Sequence, residues 1–231
     1  KKFLRKKLDS LRFENQVAFT FRNDSLRVFF ISGKALDFES KVSVRFIKSA
    51  DSTNYFYVPE KNKNSVYQVA SGAKLFSAEF DGLEYLGHGF FLVVKGAKKG
   101  LMDALGKIVL PMEYTAIVST GPGIVSLLKD QKFGLFNLIS RKLIKPSFER
   151  NVMLYDEDKL LAFKEGYYGF MNWEAKALSA FEFEEIQRWN DSISIVKRNF
   201  QWSLYEINTR KIVMSKIKDF HSIGDYGEEK I

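Results

Sequence analysis

The sequence predicts an all-β chain of about six tandem antiparallel meanders, and three observations carry that reading. Short apolar runs recur at nearly constant intervals along the 231 residues. Glycine-containing turns fall between them in the same register. Aromatic residues are abundant, with 22 Phe, 10 Tyr and 3 Trp against only 4 Pro. Phe, Tyr, Val and Ile in short runs suit strands better than helices.

The clearest unit reads Gly100-Leu101-Met102-Asp103-Ala104-Leu105-Gly106-Lys107-Ile108-Val109-Leu110-Pro111-Met112-Glu113-Tyr114. Its echoes are Gly134-Leu135-Phe136-Asn137 with Leu143-Ile144-Lys145-Pro146, then Gly169-Phe170-Met171-Asn172, then Trp202-Ser203-Leu204-Tyr205. Going backwards, Gly72 and Phe80 match Gly106 and Tyr114, and a degenerate copy starts near Arg27. Repeats therefore begin near residues 27, 66, 100, 134, 169 and 203. A basic segment, 1–26, precedes them in a single repeat domain spanning 1–231.

Each copy reads as three strands of about 34 residues in all. The first is the Gly-Leu-Met-Asp type of segment. A tight turn follows at Gly33, Gly72 or Gly106, where glycine supplies the positive φ of a hairpin. The second strand runs on to an aromatic plug at Phe80, Tyr114 or Phe148. The third is a short apolar run at 17–21, 55–58, 90–94, 124–127, 160–163 or 193–196. Helical periodicity is absent, with the charged residues 1–12 the only stretch open to a helix.

A three-stranded unit cannot cover both of its faces, so neighbours must stack. A propeller-like ring and an open super-helical array both achieve this. The chain opens with second- and third-strand material and closes with first- and second-strand material. Pairing the ends would complete a last blade and remove two edges, which favours the ring.

Composition narrows the chemistry. No cysteine is present, so disulfides, thiolate metal sites and cysteine nucleophiles are excluded. Apolar stretches such as 89–94 are too short to cross a bilayer as helices. The charged opening residues lack the apolar core of a secretory signal. The net charge is +8, and residues 1–50 hold 12 Lys+Arg against 5 Asp+Glu, so +7 lies there. Lys1, Lys2, Arg5, Lys6 and Lys7 form an anion-binding candidate for nucleic acid or an anionic surface. Charge runs more often simply face solvent.

No catalytic, cofactor or metal constellation emerges. His88, between glycines, and His221 each lack a second histidine in register. Asp156-Glu157-Asp158 lacks the glycine-containing ligand loop of a calcium site and reads as a solvated tip. Gly121-Pro122-Gly123 is a turn with no helix after it. The stronger candidates are Trp173, Trp189 and Trp202, with Tyr167, Tyr168 and Phe200 and with Arg188, Arg198 and Arg210 nearby, aromatic and guanidinium groups able to anchor a protein or glycan partner. Against that stands their use as packing between units.

The segment Gly100-Leu101-Met102-Asp103, followed by Gly106-Lys107-Ile108-Val109, Pro111 and Glu113-Tyr114, resembles the bacterial WG-repeat (KWG-repeat) family. Units of that family read Trp-Gly-Leu-Ile-Asp, Gly-Lys, and Val-Ile-Pro-Pro-x-Tyr. The chain departs from the pattern at the tryptophan, which is Lys99, Phe133 or Tyr168, and at Ser203, which replaces glycine after Trp202. The resemblance covers about 27–220 and implies a non-catalytic interaction or scaffolding role in a larger bacterial, envelope-associated or secreted assembly. Nucleic-acid or anionic-surface binding is the alternative. A glycan-active enzyme would need paired carboxylates across one cleft, and none has that spacing.

Overall fold

The computed structural model describes residues 10–14, 16–22, 25–38, 42–47, 54–60, 62–190 and 192–217. Among them every regular element is a strand, and together the strands make six antiparallel sheets. The first sheet holds β1 (Ser10–Glu14), β2 (Val17–Arg22), β3 (Ser25–Phe30) and β4 (Ala35–Phe38). The second holds β5 (Arg45–Ile47), β6 (Tyr55–Glu60), β7 (Lys63–Gln68) and β8 (Lys74–Ala78). The third holds β9 (Gly82–Gly87), β10 (Phe90–Lys95), β11 (Lys98–Asp103) and β12 (Ile108–Tyr114). The fourth holds β13 (Ala116–Gly121), β14 (Ile124–Lys129), β15 (Lys132–Asn137) and β16 (Leu143–Phe148). The fifth holds β17 (Met153–Leu154), β18 (Leu160–Lys164) and β19 (Tyr167–Met171). The sixth holds β20 (Glu185–Arg188), β21 (Ile193–Arg198), β22 (Gln201–Glu206) and β23 (Lys211–Ile217).

Every sheet is a plain meander in chain order, the blade type of propellers and related repeat folds. The expected unit of three strands is corrected to four. The expected repeat starts near 27, 66, 100, 134, 169 and 203 fall on the third strand of each sheet. The overlooked element is the first strand of each sheet, which lies at an edge and carries a weak apolar signal. The fifth sheet keeps three strands; residues 177–183 run beside β19 through the bridges Met171–Ala177 and Tyr168–Phe183. Sheets one and six are each complete from consecutive strands. The shared last blade expected from the two chain ends is therefore not formed by the described residues. Residues 10–12 lie in β1 rather than in a helix, and 10–26 belong largely to the first sheet; 1–9 lie outside the described residues.

By their contacts the residues form two units, 1–125 with 138–140 and 126–137 with 141–231. In the first unit, Val17, Phe19, Leu26, Val28 and Phe30 of sheet one pack on Phe56, Val58 and Tyr67 of sheet two. The opposite face of sheet two presents Tyr55, Tyr57, Val66 and Phe76 to Tyr85, Phe91, Val93 and Met102 of sheet three. Tyr55 lies 5.2 Å from Phe91 and 4.7 Å from Tyr85 between ring centroids, close to the edge-to-face spacing aromatic pairs prefer. In the second unit, Leu161 and Phe170 of sheet five pack on Val196 and Tyr205 of sheet six. Phe170 stacks on Tyr205 at 6.1 Å.

The repeating glycine has a steric cause. The pairing of β11 with β12 shifts register between Lys99 and Leu101, and that of β15 with β16 between Phe133 and Leu135. At each bulge the fourth strand folds over the third, at Gly100 and at Gly134. A Cβ on Gly100 would stand 2.7 Å from the Leu110 carbonyl oxygen, and one on Gly134 would run into that of Ile144. Ser203 takes the same seat in sheet six, where the register shifts between Trp202 and Leu204. The residues flanking the seat pair with the aromatic plug, as in Lys99–Tyr114 and Phe133–Phe148.

The hairpin after the seat is closed by a side chain. Asp103 is buried, and its Oδ1 accepts the Leu105 and Lys107 amides at 3.0 and 2.9 Å. Asn172 accepts those of Glu174 and Lys176 at 3.1 and 2.9 Å in the same way. A second recurring cap closes the turn between second and third strands. Asp81 accepts Gly96 N at 2.6 Å, Glu149 accepts Glu165 N at 3.1 Å, and Glu184 accepts Phe200 N at 3.3 Å. Each carboxylate lies 15 or 16 residues before the amide it holds.

Three outcomes check this account. Gly106→Val should destabilise by about 2–4 kcal/mol, combining positive-φ strain with overpacking, because its φ is +80° and its Cβ would lie 2.5 Å from Phe76 Cβ. Gly33→Val, at φ +82° with open space around it, should lose only the strain part, and urea denaturation of both variants separates the two. Asp103→Ala should lose about 1 kcal/mol while Asp103→Asn stays near wild type, as Asn172 shows; equal losses would refute the turn-closing role.

Tyr67 provides a pH dependence. Burial, and then the nearby Glu60 carboxylate, push its hydroxyl up to about 12. The protonated form is thus favoured in the folded state. That contribution is whole below the ordinary tyrosine range near 10 and is lost as pH rises from there through about 12. Alkaline melts of wild type and Tyr67→Phe should converge across that window, and parallel curves would exclude Tyr67 as a source of the loss.

Candidate interaction surface on the sixth sheet

Sheet six owes its placement to its buried face. Val196, Tyr205 and Ile207 are buried against sheet five. Ser194, also fully buried, meets the Tyr155 hydroxyl at 2.6 Å. Period-2 alternation then turns Ile193, Ile195 and Lys197 to the other face. Arg188 lies over the Tyr155 ring with its guanidinium carbon 5.1 Å from the centroid.

The β21–β22 turn projects from one end of this sheet. Arg198 pairs with Gln201 across it, leaving Asn199 and Phe200 at its tip with φ of +50° and +61°. Phe200 is 87% exposed. Charges ring the base of the turn: Arg198 with Glu182 at 2.8 Å, and Lys197 with Glu185 at 2.7 Å. Lys197 also lies 5.3 Å from the Trp202 ring centroid. The hydrogen bond to Glu185, with its negative charge, holds the Lys197 ammonium above its ordinary pKa. Trp202 is half-buried, its backbone paired with Lys197 and Ile217.

The sequence-selected residues do not form one cluster. Trp173 is buried, and its Nε1 donates to the Glu157 carbonyl at 3.1 Å; it is a core residue, which corrects its candidacy for partner binding. Trp189 is 60% exposed at the opposite end of the sheet from Phe200, beside Arg188. Arg198 and Trp202 flank the Phe200 turn. The edge strand β23 exposes Ile212, Val213 and Met214, which the sequence reading passed over because apolar residues in a repeat register look like core. Lys1, Lys2, Arg5, Lys6 and Lys7 lie outside the described residues, as does His221.

His88 is an exposed turn residue at φ +52°. Asp156 closes its own loop by accepting the Asp158 and Lys159 amides at 3.0 and 2.8 Å. Among the described residues no group of three His, Asp or Glu side chains is placed to hold a metal ion, and no helix is long and apolar enough to cross a membrane.

Neither a protein-family model nor a curated protein sequence matches the chain. Similar solved structures include Kluyveromyces lactis Hsv2 with its complete loop 6CD, at 12% identity and TM-score 0.34, covering 95% of this chain and 79% of that one. The Neurospora crassa Pan2 WD40 domain aligns at 12% identity and TM-score 0.33 over 82% of this chain and 71% of that one. A eukaryotic initiation factor aligns at 12% identity and TM-score 0.40 over 86% and 62%. At these values the likeness assigns neither a family nor a function.

Proposed function

We propose that the protein is a non-catalytic interaction module that holds a protein partner through the Phe200 turn of sheet six. One observation carries this reading. Phe200 is a bulky residue in the left-handed region, which glycine occupies without strain, and it buries almost nothing within the chain. The matching place in the β18–β19 turn is Gly166, at φ +90°. A residue that adds neither core nor turn stability is the kind that serves as an exposed anchor. Arg198 and Trp202 beside it supply the guanidinium and indole groups enriched at such anchors.

Kinship with WG repeats is part of the same proposal. It is supported by the bulge that requires Gly100 and Gly134 and by the turn-closing Asp103, which give physical reasons for the glycine and the aspartate of that pattern. Membership of a bacterial envelope-associated assembly rests on that resemblance alone.

Phe200→Gly tests the function because stability and binding should move in opposite directions. Relief of strain, less the backbone entropy of glycine, should stabilise the fold by about 0.5–1 kcal/mol. Quantitative pull-downs from the native source should lose the specific partner by tenfold or more. A Phe200→Gly protein that melts higher yet retains its partner at wild-type levels would remove the turn from the interface.

A further inference from the structure

We infer that the interface at the Phe200 turn continues onto sheet five, where Arg150 receives a carboxylate. The partner then offers an acidic peptide segment in which Asp or Glu stands close to an apolar residue. This rests on Phe200 being an anchor and names the chemistry of what that anchor holds.

Sheets five and six bring the groups to one place. They pack on each other through Leu161, Phe170, Val196 and Tyr205. Phe183 and Tyr168 exchange backbone hydrogen bonds at 2.8 and 3.2 Å. The residues on either side of Phe183 reach the turn: Glu182 pairs with Arg198, and Glu184 accepts the Phe200 amide. On the other side, Arg150 Nη1 donates to the Tyr168 hydroxyl at 2.9 Å. An unbroken path of contacts therefore runs from Arg150 to the Phe200 turn.

Arg150 is an exposed cation that is held still. Its guanidinium carbon lies 3.9 Å from the Phe163 ring centroid and 5.7 Å from that of Tyr168. Stacking sets the plane of the guanidinium, and the bond to Tyr168 sets its rotation within that plane. That bond uses one of its donors, and among the described residues no carboxylate pairs with it. The adjacent Glu149 turns instead to the Glu165 amide at 3.1 Å. The other cations along the path are already matched: Arg198 with Glu182, Lys197 with Glu185, and Lys164 with Glu165. Arg150 is the one left without an acid.

A planar guanidinium with open donors recognises a carboxylate through two parallel hydrogen bonds. Because the side chain is ordered beforehand, little rotamer freedom is lost on binding. Next to Tyr168, the Tyr167 ring is 44% exposed and adds aromatic surface beside that of Phe200. Apolar contact at Phe200 and Tyr167, with a carboxylate at Arg150, describes a short acidic segment that also carries apolar side chains. A nucleic acid fits poorly, since Glu149, Glu165, Glu182, Glu184 and Glu185 lie along the same path and would repel its phosphates.

Selection from a random-peptide phage library tests this on wild type, Arg150→Gln, Arg150→Glu and Phe200→Gly, each shown to be folded by circular dichroism melts. Wild type should enrich sequences with Asp or Glu at a fixed short spacing from an apolar residue. A synthetic peptide of the enriched sequence should bind Arg150→Gln about tenfold more weakly. Arg150→Glu should select Lys or Arg at the formerly acidic position. No enrichment on wild type, enrichment without an acidic position, or an acidic preference that survives Arg150→Glu would each overturn the proposal. Phe200→Gly separates this from the anchor reading: it should lose the apolar position and keep the acidic one. A Phe200→Gly protein that selects both positions as wild type does would count against Phe200 as anchor while Arg150 stands as the carboxylate receptor.

Discussion

The close approach of each fourth strand to the third is the constraint from which much of the structure follows. At Gly100 and Gly134 the neighbouring backbone occupies the space a Cβ would need. The bulge there shifts the register and bends the outer strand. The flanking plug, Tyr114 or Phe148, is buried. The seat at Gly100 and Gly134 leaves no room for a Cβ, while sheet six holds the small Ser203 at the matching place.

This explains why the period was visible and the unit was not. Seats, plugs and turn glycines are fixed by contact with neighbouring backbone, so they recur wherever the contact recurs. The first strand of each sheet has no such contact on its outer edge. β17 has two residues, both exposed, and β20 is Glu185-Ile186-Gln187-Arg188, with only Ile186 packed toward sheet five. An edge strand buries one side at most, so its alternation is short and dilute. Merging it with the previous strand turned four strands into three and misplaced the ends of the chain.

The candidate site was legible in a different measure. Aromatic and guanidinium groups gathered in the last units of the sequence, yet linear proximity does not distinguish the two faces of a strand. Trp173 sits in the core with its indole N–H satisfied, whereas Trp189 and Phe200 stand in turns at opposite ends of one sheet. The feature that singles out Phe200 is a backbone angle. Sequence could have hinted at it, since Asn199-Phe200 fills the two-residue turn that holds Glu165-Gly166 one unit earlier.

The basic excess of the first fifty residues resolves in a similar way where it can be followed. Arg27 is paired with Asp37 across β3 and β4. Lys34 donates to the Gly72 carbonyl at 2.8 Å, at the turn whose glycine lies against Phe30. Arg45 reaches the Tyr57 hydroxyl at 3.5 Å. These three cations serve three separate structural contacts and do not converge on a common anion site. Net charge counts residues without regard to what each already holds, so a composition of +7 and a positively charged binding surface are different things. Arg27, Lys34 and Arg45 each hold a neighbouring strand or turn instead.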